Sequence, residues 1–375
     1  MRLLLLFCWI GILASCIPQD GSDLYQKYTG DCEFDQLLPG WTATVVTPTS
    51  GLWTPCDNAF VNARKGVVVG TDGQIRLTEN GGEDWENRSK LPNDWKDRRL
   101  DYVAFPDPLT LYLGNNHTST LLVSRDAGAT FSSFALGDND RSVLDLAFFD
   151  AQHGLAMLNA GGYGTRGELR RTLDGGQQWE VAELPGEAGR LSTHLYSDFG
   201  VAYCMATDTA GGELLLRYTP EDGWESRSLG TIVSQSQSLQ HLALIDEQTL
   251  IAHVDDSGGG WFYSPKDQLH LSQDGGLSWR PFARVEPGEH MCGYYDSAQE
   301  GVVFVENTID LSETSTATGS DKTPYFDVYY TADSGSSWRR DAHPISCSLN
   351  GPTVRIGAGQ FLLTSKDEWL LFERE

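Results

Sequence analysis

Thr78-Glu-Asn80-Gly-Gly82-Glu-Asp-Trp85 is the first of five stretches written in one frame: hydroxyl, any residue, Asp or Asn, any, Gly, any two, aromatic. The others are Ser124-Arg-Asp126-Ala-Gly128-Ala-Thr-Phe131, Thr172-Leu-Asp174-Gly-Gly176-Gln-Gln-Trp179, Ser272-Gln-Asp274-Gly-Gly276-Leu-Ser-Trp279 and Thr331-Ala-Asp333-Ser-Gly335-Ser-Ser-Trp338. Their acidic positions lie 46, 48, 100 and 59 residues apart, and the double gap holds a decayed copy, Thr219-Pro-Glu-Asp222-Gly-Trp224. A period near fifty residues signals stacked copies of one supersecondary unit rather than several unrelated domains.

Between these stretches run short apolar segments broken by Gly, Asn and Asp, the pattern of strands and turns. One unit reads as Leu144–Phe149, the turn Asp150-Ala-Gln-His-Gly154, Leu155–Leu158, a loop from Asn159 to Gly167, Glu168–Thr172, the repeated phrase, and a fourth strand from Trp179. Four antiparallel strands repeated radially make propeller blades, which leave only short, protected sheet edges. Blades begin near residues 56, 100, 143, 191, 239, 291 and 349. The last supplies three strands, Thr353–Ile356, Gly359–Thr364 and Trp369–Glu373, and then the chain ends. Trp41-Thr-Ala-Thr-Val-Val46 is the strand left over, and pairing it there covers a naked edge. The expected fold is therefore an all-β single propeller of seven four-stranded blades, with six blades as the alternative.

The repeated phrase also carries its own physics. Its Asp side chain accepts backbone N–H groups of the turn, its Gly takes a positive φ, and its aromatic buries a ring. These residues resemble the Asp-box, or BNR repeat, of sialidases and other propellers, over most of residues 56–342. That resemblance implies structural roles for Asn80, Asp126, Asp174, Asp274 and Asp333, on the face away from ligands.

The N-terminus reads as a targeting segment. Arg2 precedes the charge-free apolar run Leu3–Ala14, too short to span a bilayer and long enough for a signal-peptide core. Leu13-Ala14-Ser15-Cys16 resembles the lipobox of bacterial lipoproteins. The resemblance implies lipidation of Cys16, by palmitate among other chains, after removal of residues 1–15. It also implies a cell-envelope protein anchored in the membrane. Ile17, not Asp, follows the cysteine, so by the same resemblance the anchor lies in the outer membrane if the organism is Gram-negative, facing periplasm or exterior. The expected division is 1–15 signal peptide, 16–40 anchor and linker, and 41–375 propeller.

The chain carries 27 basic and 52 acidic residues, a net charge of −25, which repels phosphate backbones and excludes nucleic acid as a partner. No cofactor or metal site is expected, because Gly137-Asp-Asn-Asp140 and Asp255-Asp256 lack the ligand alternation of a calcium loop. No cysteine pair has zinc-site spacing. Cys204, within Val201-Ala-Tyr-Cys-Met205, reads as a free buried thiol. Cys292–Cys347 is the disulfide expected near the closing blade.

Function is sought on the face opposite the repeated turns. There the loops are Thr71-Asp-Gly73, the Tyr163-bearing loop from Asn159 to Gly167, a loop from Asp255 to Asp267 holding Trp261, Phe262 and Tyr263, and a Ser- and Thr-rich one from Glu306 to Phe326. The three aromatics either stack on a ligand or bury one another. Asp57, Tyr102, Asp145, Thr193, His241 and Cys292 start the first strands and line the mouth of the axial channel. The candidate ligand-binding set is thus Trp261, Phe262, Tyr263, Tyr163, His241, Asp57 and Asp145, with no catalytic residue assigned.

The unit, with Phe148-x-Asp150-x-x-x-Gly154 and a box of Asp174-Gly-Gly-x-x-Trp179, resembles single-propeller photosystem II assembly factors and their envelope relatives. Those factors bind through a basic patch, whereas this acidic chain has only Lys96-Asp-Arg98-Arg99, so photosystem assembly is not carried over. Sialidase chemistry is not carried over either, since no Arg-Ile-Pro motif precedes the first box. The expected function is a non-catalytic, lipid-anchored binding or assembly module for a protein or glycan ligand. The alternative is a glycoside hydrolase using channel-mouth carboxylates.

Overall fold

The computed structural model describes residues 40–46 and 55–374, apart from 89, 138–140, 160–166, 234–237, 256–267, 283–289, 296, 298, 311–321, 334–336, 341–352, 358 and 365–368. Its strands form seven four-stranded antiparallel sheets. Blades 1 to 6 are consecutive quartets whose first strands are Pro55–Phe60, Tyr102–Asp107, Val143–Phe148, Ala188–Asp198, Ser238–Leu244 and His290–Tyr295. Blade 7 combines Thr353–Gly357, Gln360–Thr364 and Trp369–Arg374 with Trp41–Val46 from the other end of the chain. The closing register runs from Trp41 opposite Arg374 to Val46 opposite Trp369. A single propeller is therefore the fold, with its termini joined in one sheet.

The turn after each first strand explains one recurrent motif. Asp150 Oδ1 accepts the backbone N–H groups of Gln152 and His153 at 2.6 and 2.8 Å. Asn62, Asp107 and Asp246 serve the two amides of their own turns in the same way. Gly154 follows because the Phe148 ring lies where a Cβ would sit, 2.6 Å from its nearest atom, and Phe60 covers Gly66 likewise.

The Asp-box turns behave as the frame requires. Thr172 Oγ1 donates to Asp174 Oδ1 at 3.0 Å and accepts the N–H of Gly176 at 2.7 Å, while Asp174 Oδ1 accepts the N–H of Gln178 at 2.9 Å. The same contacts recur around Asn80, Asp126 and Asp274. Asp333 repeats two of them, with Thr331 and Ser337. Gly175 and Gly176 take φ of 67° and 77°, the left-handed region that glycine enters without a Cβ penalty. Four of the five box turns also lean on the first turn of their own blade: the N–H groups of Gly81, Ala127, Gly175 and Gly275 donate to the carbonyls of Arg64, Leu109, Gln152 and Gln248. Both sets of turns therefore share one face of the ring.

The apolar core lies between blades. One cluster joins Leu111 and Leu113 to Val67, Val69 and Ile75, and another joins Leu155 and Met157 to Leu214 and Leu216. At the seam, Trp85 of blade 1 meets Trp369 of blade 7 edge to face at 5.0 Å, and Trp369 is 1% exposed. Among the described residues no helix is long and apolar enough to cross a membrane.

The loop expected from Glu306 to Phe326 is shorter than the sequence suggested. Gly301–Asp310 and Lys322–Thr331 pair along their whole length, from Gly301 opposite Thr331 to Asp310 opposite Lys322. The Ser-rich centre of that loop, 311–321, lies outside the described residues; its paired ends are held by backbone hydrogen bonds, which need no apolar pattern.

Candidate functional site

Among the described residues the first strands of blades 1 to 4 line an open cavity of about 480 Å³ on the ring axis. Its lining runs from Asp57 and Asp145 outward to Val61, Pro106, Phe149 and Gly200, at the ends of the first strands and in the turns that follow. The cavity therefore occupies the half of the axis on the Asp-box side. Among the described residues no basic side chain lines it.

A bulge places each carboxylate. The register shifts between Pro55 and Asp57 and again between Val143 and Asp145, and such an extra residue re-aims the side chain that follows it. Asp57 then accepts the N–H of Asn58 through Oδ1 and that of Val103, on the next blade, through Oδ2, both at 2.8 Å. Asp145 does the same with Leu146 and, across to blade 4, Leu195, again at 2.8 Å. Removal from water pushes Asp57 up to about 8 against its two amide bonds, with the Asp145 charge adding to the rise. The same removal pushes Asp145 up to about 7. Tyr102 and Tyr196 are raised as well, first by burial and then by the charge of Asp145, Tyr196 to about 12.

Chemically, this arrangement resembles a fastener more than an acid–base pair. Both oxygens of each carboxylate hold backbone amides, one of them on the neighbouring blade. Other blade junctions use other groups: Tyr112 Oη and Arg125 both donate to the carbonyl of Gly175 at 2.6 Å.

The remaining candidates fall differently. His241 takes the same bulged position in blade 5, directly opposite His253. Thr193 and Cys292 lie on the first strands of blades 4 and 6. Trp261, Phe262, Tyr263, Tyr163, Cys16 and Cys347 lie outside the described residues, as does the proposed Cys292–Cys347 bond. Cys204 is a buried free thiol, raised by burial in the apolar layer between blades 3 and 4. Among the described residues no group of metal-ligating side chains is found.

Sequence reading missed the rim. Asp198-Phe199-Gly200 turns the first strand of blade 4 into the second, with Asp198 opposite Val201. Phe199 has φ 53° and Gly200 φ 76°, so both central residues are left-handed, as a two-residue hairpin of this kind demands. Phenylalanine at the first of these positions is unusual, and such outliers gather at functional sites.

Residues 39–140 match the family model of photosynthesis system II assembly factor YCF48. The likeness is to YCF48. The matched span covers the closing strand and blades 1 and 2. Among solved structures, YCF48 bound to D1 peptide has a TM-score of 0.61 at 18% identity, with 91% of this chain and 99% of that one covered. YCF48 from Cyanidioschyzon merolae has a TM-score of 0.61 at 16% identity, covering 89% and 99%. The WD40 propeller domain of Doa1 has a TM-score of 0.55 at 12% identity, covering 90% and 98%. At these identities the likeness is one of fold. No curated protein sequence matches the chain.

Proposed function

We propose that this chain is a non-catalytic propeller that binds a protein partner, held in the cell envelope by a lipid on Cys16. The observation that carries the non-catalytic reading is the use of both axial carboxylates, Asp57 and Asp145, to hold amides of the adjoining blades. The fold shared with a YCF48 bound to a D1 peptide supports a protein over a glycan as ligand. Trp261, Phe262 and Tyr263 remain candidate contact residues.

The test has two arms. The purified protein is assayed against chromogenic sialosides and β-glucans, with peptide and glycan arrays in parallel. The reading expects peptide binding and no turnover; turnover abolished by Asp145→Asn overturns it. For the anchor, palmitate labelling in the native cell is expected to disappear in Cys16→Ala, and labelling that persists refutes it.

A further inference from the structure

His270 lies on Gln268–Ser272, the third strand of blade 5, and is 7% exposed. Ala252 stands directly opposite it and packs with Tyr203 and Leu215 of blade 4 and with Leu229, Ile232 and Val233 of the connection. The imidazole is therefore on the blade-4 side of its sheet, between two blades. Both ring nitrogens are buried without a hydrogen-bond partner among the described residues. Blades 1, 3 and 4 place an arginine at this position, two residues before the hydroxyl of the box or of its decayed copy: Arg76, Arg170 and Arg217. Arg170 donates to Glu168 at 2.7 Å, and Arg217 lies 3.8 Å from Glu225, directly opposite on the fourth strand. In blade 5 the corresponding partner positions are Gln268 and Pro281, and neither residue carries a charge.

We infer that the junction between blades 4 and 5 is an acid-sensitive seam of the ring: as the medium falls below about pH 6.5, His270 takes up a proton that the closed junction does not accommodate, and the two blades part there. A buried imidazolium needs a carboxylate or carbonyl to receive its N–H groups. The charged groups on the facing side of blade 4 are committed elsewhere. Arg217 and Arg227 share Glu225, and Arg227 also donates to the Asp274 carbonyl at 3.3 Å. Tyr203 on the same side donates to the Gly275 carbonyl at 3.5 Å, and Glu213, at the start of its strand, is raised by burial alone. Leu229–Val233 carries no titratable side chain, and the Asp274 carboxylate serves Ser272 and Ser278. His253 is opposite Leu269, on the other side of the sheet. Burial alone keeps the His270 ring below the ordinary histidine value, so its stabilising contribution is complete above about pH 6.5 and is lost as pH falls. Other junctions lack this sense. Asp57 and Asp145, which fasten blades 1 to 2 and 3 to 4, gain on acidification, and Tyr112 and Arg125, which join blades 2 and 3, keep their charge states near neutrality. Acid thus loosens one seam selectively, whatever the propeller binds.

The experiment is amide hydrogen exchange of the intact protein at about pH 7.5 and about pH 5.5, each rate normalised to its intrinsic value at that pH. A local readout is needed because global melting sums this contribution with the opposite ones of Asp57 and Asp145. The reporters are the amide of Leu229, held by the Glu213 carbonyl, and those of Ile232 and Val233, held by the Leu229 carbonyl. The references are the amides of Leu136 and Val143, held by the Ser119 and Thr118 carbonyls between blades 2 and 3. Opening at the reporters is expected to rise severalfold at the lower pH. The ceiling is about tenfold, the factor by which an ordinary histidine, protonated in the open form alone, favours that form one pH unit below its own value. The references are expected to stay unchanged. His270→Leu removes the titrating ring and is expected to abolish the rise; His270→Gln, neutral at both pH values, decides the matter if His270→Leu does not fold. A rise that persists in either folded variant overturns the inference. So does an equal rise at Leu136 and Val143, or no rise at the reporters in the unaltered protein.

Discussion

Asp57 and Asp145 are one residue type at one register position, and what they do is set by a bulge that turns each carboxylate toward the adjoining blade. Their raised proton affinities have a consequence for stability. Both fold-state values lie above the ordinary carboxylate value near 3.8, so the folded chain binds more protons than the unfolded one in between. Their contribution is greatest below about pH 4 and declines as pH rises to about 8. Asp126 acts oppositely. The hydroxyl and amide of Thr130 hold it down to about 2, so its contribution is present above about pH 4 and fades on acidification. Melting temperature is therefore expected to fall between about pH 5 and about pH 8, with a shallower slope in Asp145→Asn. An unchanged slope removes this account of Asp145. The box glycines give a second test at the same scale. Ala127 occupies the first left-handed position of its box at φ 54°, where Gly175 and Gly275 stand in their own boxes. Ala127→Gly is expected to stabilise by up to about 1 kcal/mol. A Cβ on Gly175 meets the carbonyl of Ala151 at 2.6 Å, so Gly175→Ala is expected to cost about 2 kcal/mol or more in urea unfolding.

At the scale of elements, the strands were legible because their turns are written in residues with one mechanism each. Asp150 and Asn62 cap the amides of their turns, and Gly154 and Gly66 admit the Phe148 and Phe60 rings, so Phe-x-Asp/Asn-x-x-x-Gly marks the end of the first strand in blades 1 and 3. The box marks the end of a third. Legibility fails where neither signal operates. The ribbon of Gly301–Asp310 with Lys322–Thr331 is polar at its far end, and backbone pairing leaves no periodic apolar trace there. Phe199 was unreadable for a related reason. A two-residue hairpin with both φ positive is announced by Asn-Gly or Asp-Gly, and here phenylalanine takes the first place.

At the scale of the whole molecule, the unpaired strand at one terminus and the incomplete blade at the other pointed to a closed ring, and Trp41–Val46 does pair with Trp369–Arg374. The ring brings together residues 46 positions apart, as in the bond from Asp57 to Val103, and no local pattern announces such a contact. That is why Asp57 and Asp145 were legible as axial residues while their amide partners, and the face on which the cavity opens, were not. Closure also predicts where damage spreads. Trp369 is buried between Trp85 of blade 1 and the rest of blade 7, so Trp369→Ala is expected to lose about 3–5 kcal/mol in one cooperative transition. A separate early transition, with the other blades intact, contradicts a single closed body.

The account turns on axial carboxylates that fasten blades, and amide hydrogen exchange in Asp145→Ala reads that most directly. The Leu195 amide is expected to exchange at least about tenfold faster than in the unaltered protein, while the Val103 amide, held by Asp57, keeps its protection. Unchanged protection at Leu195, in a variant that remains folded, contradicts the account.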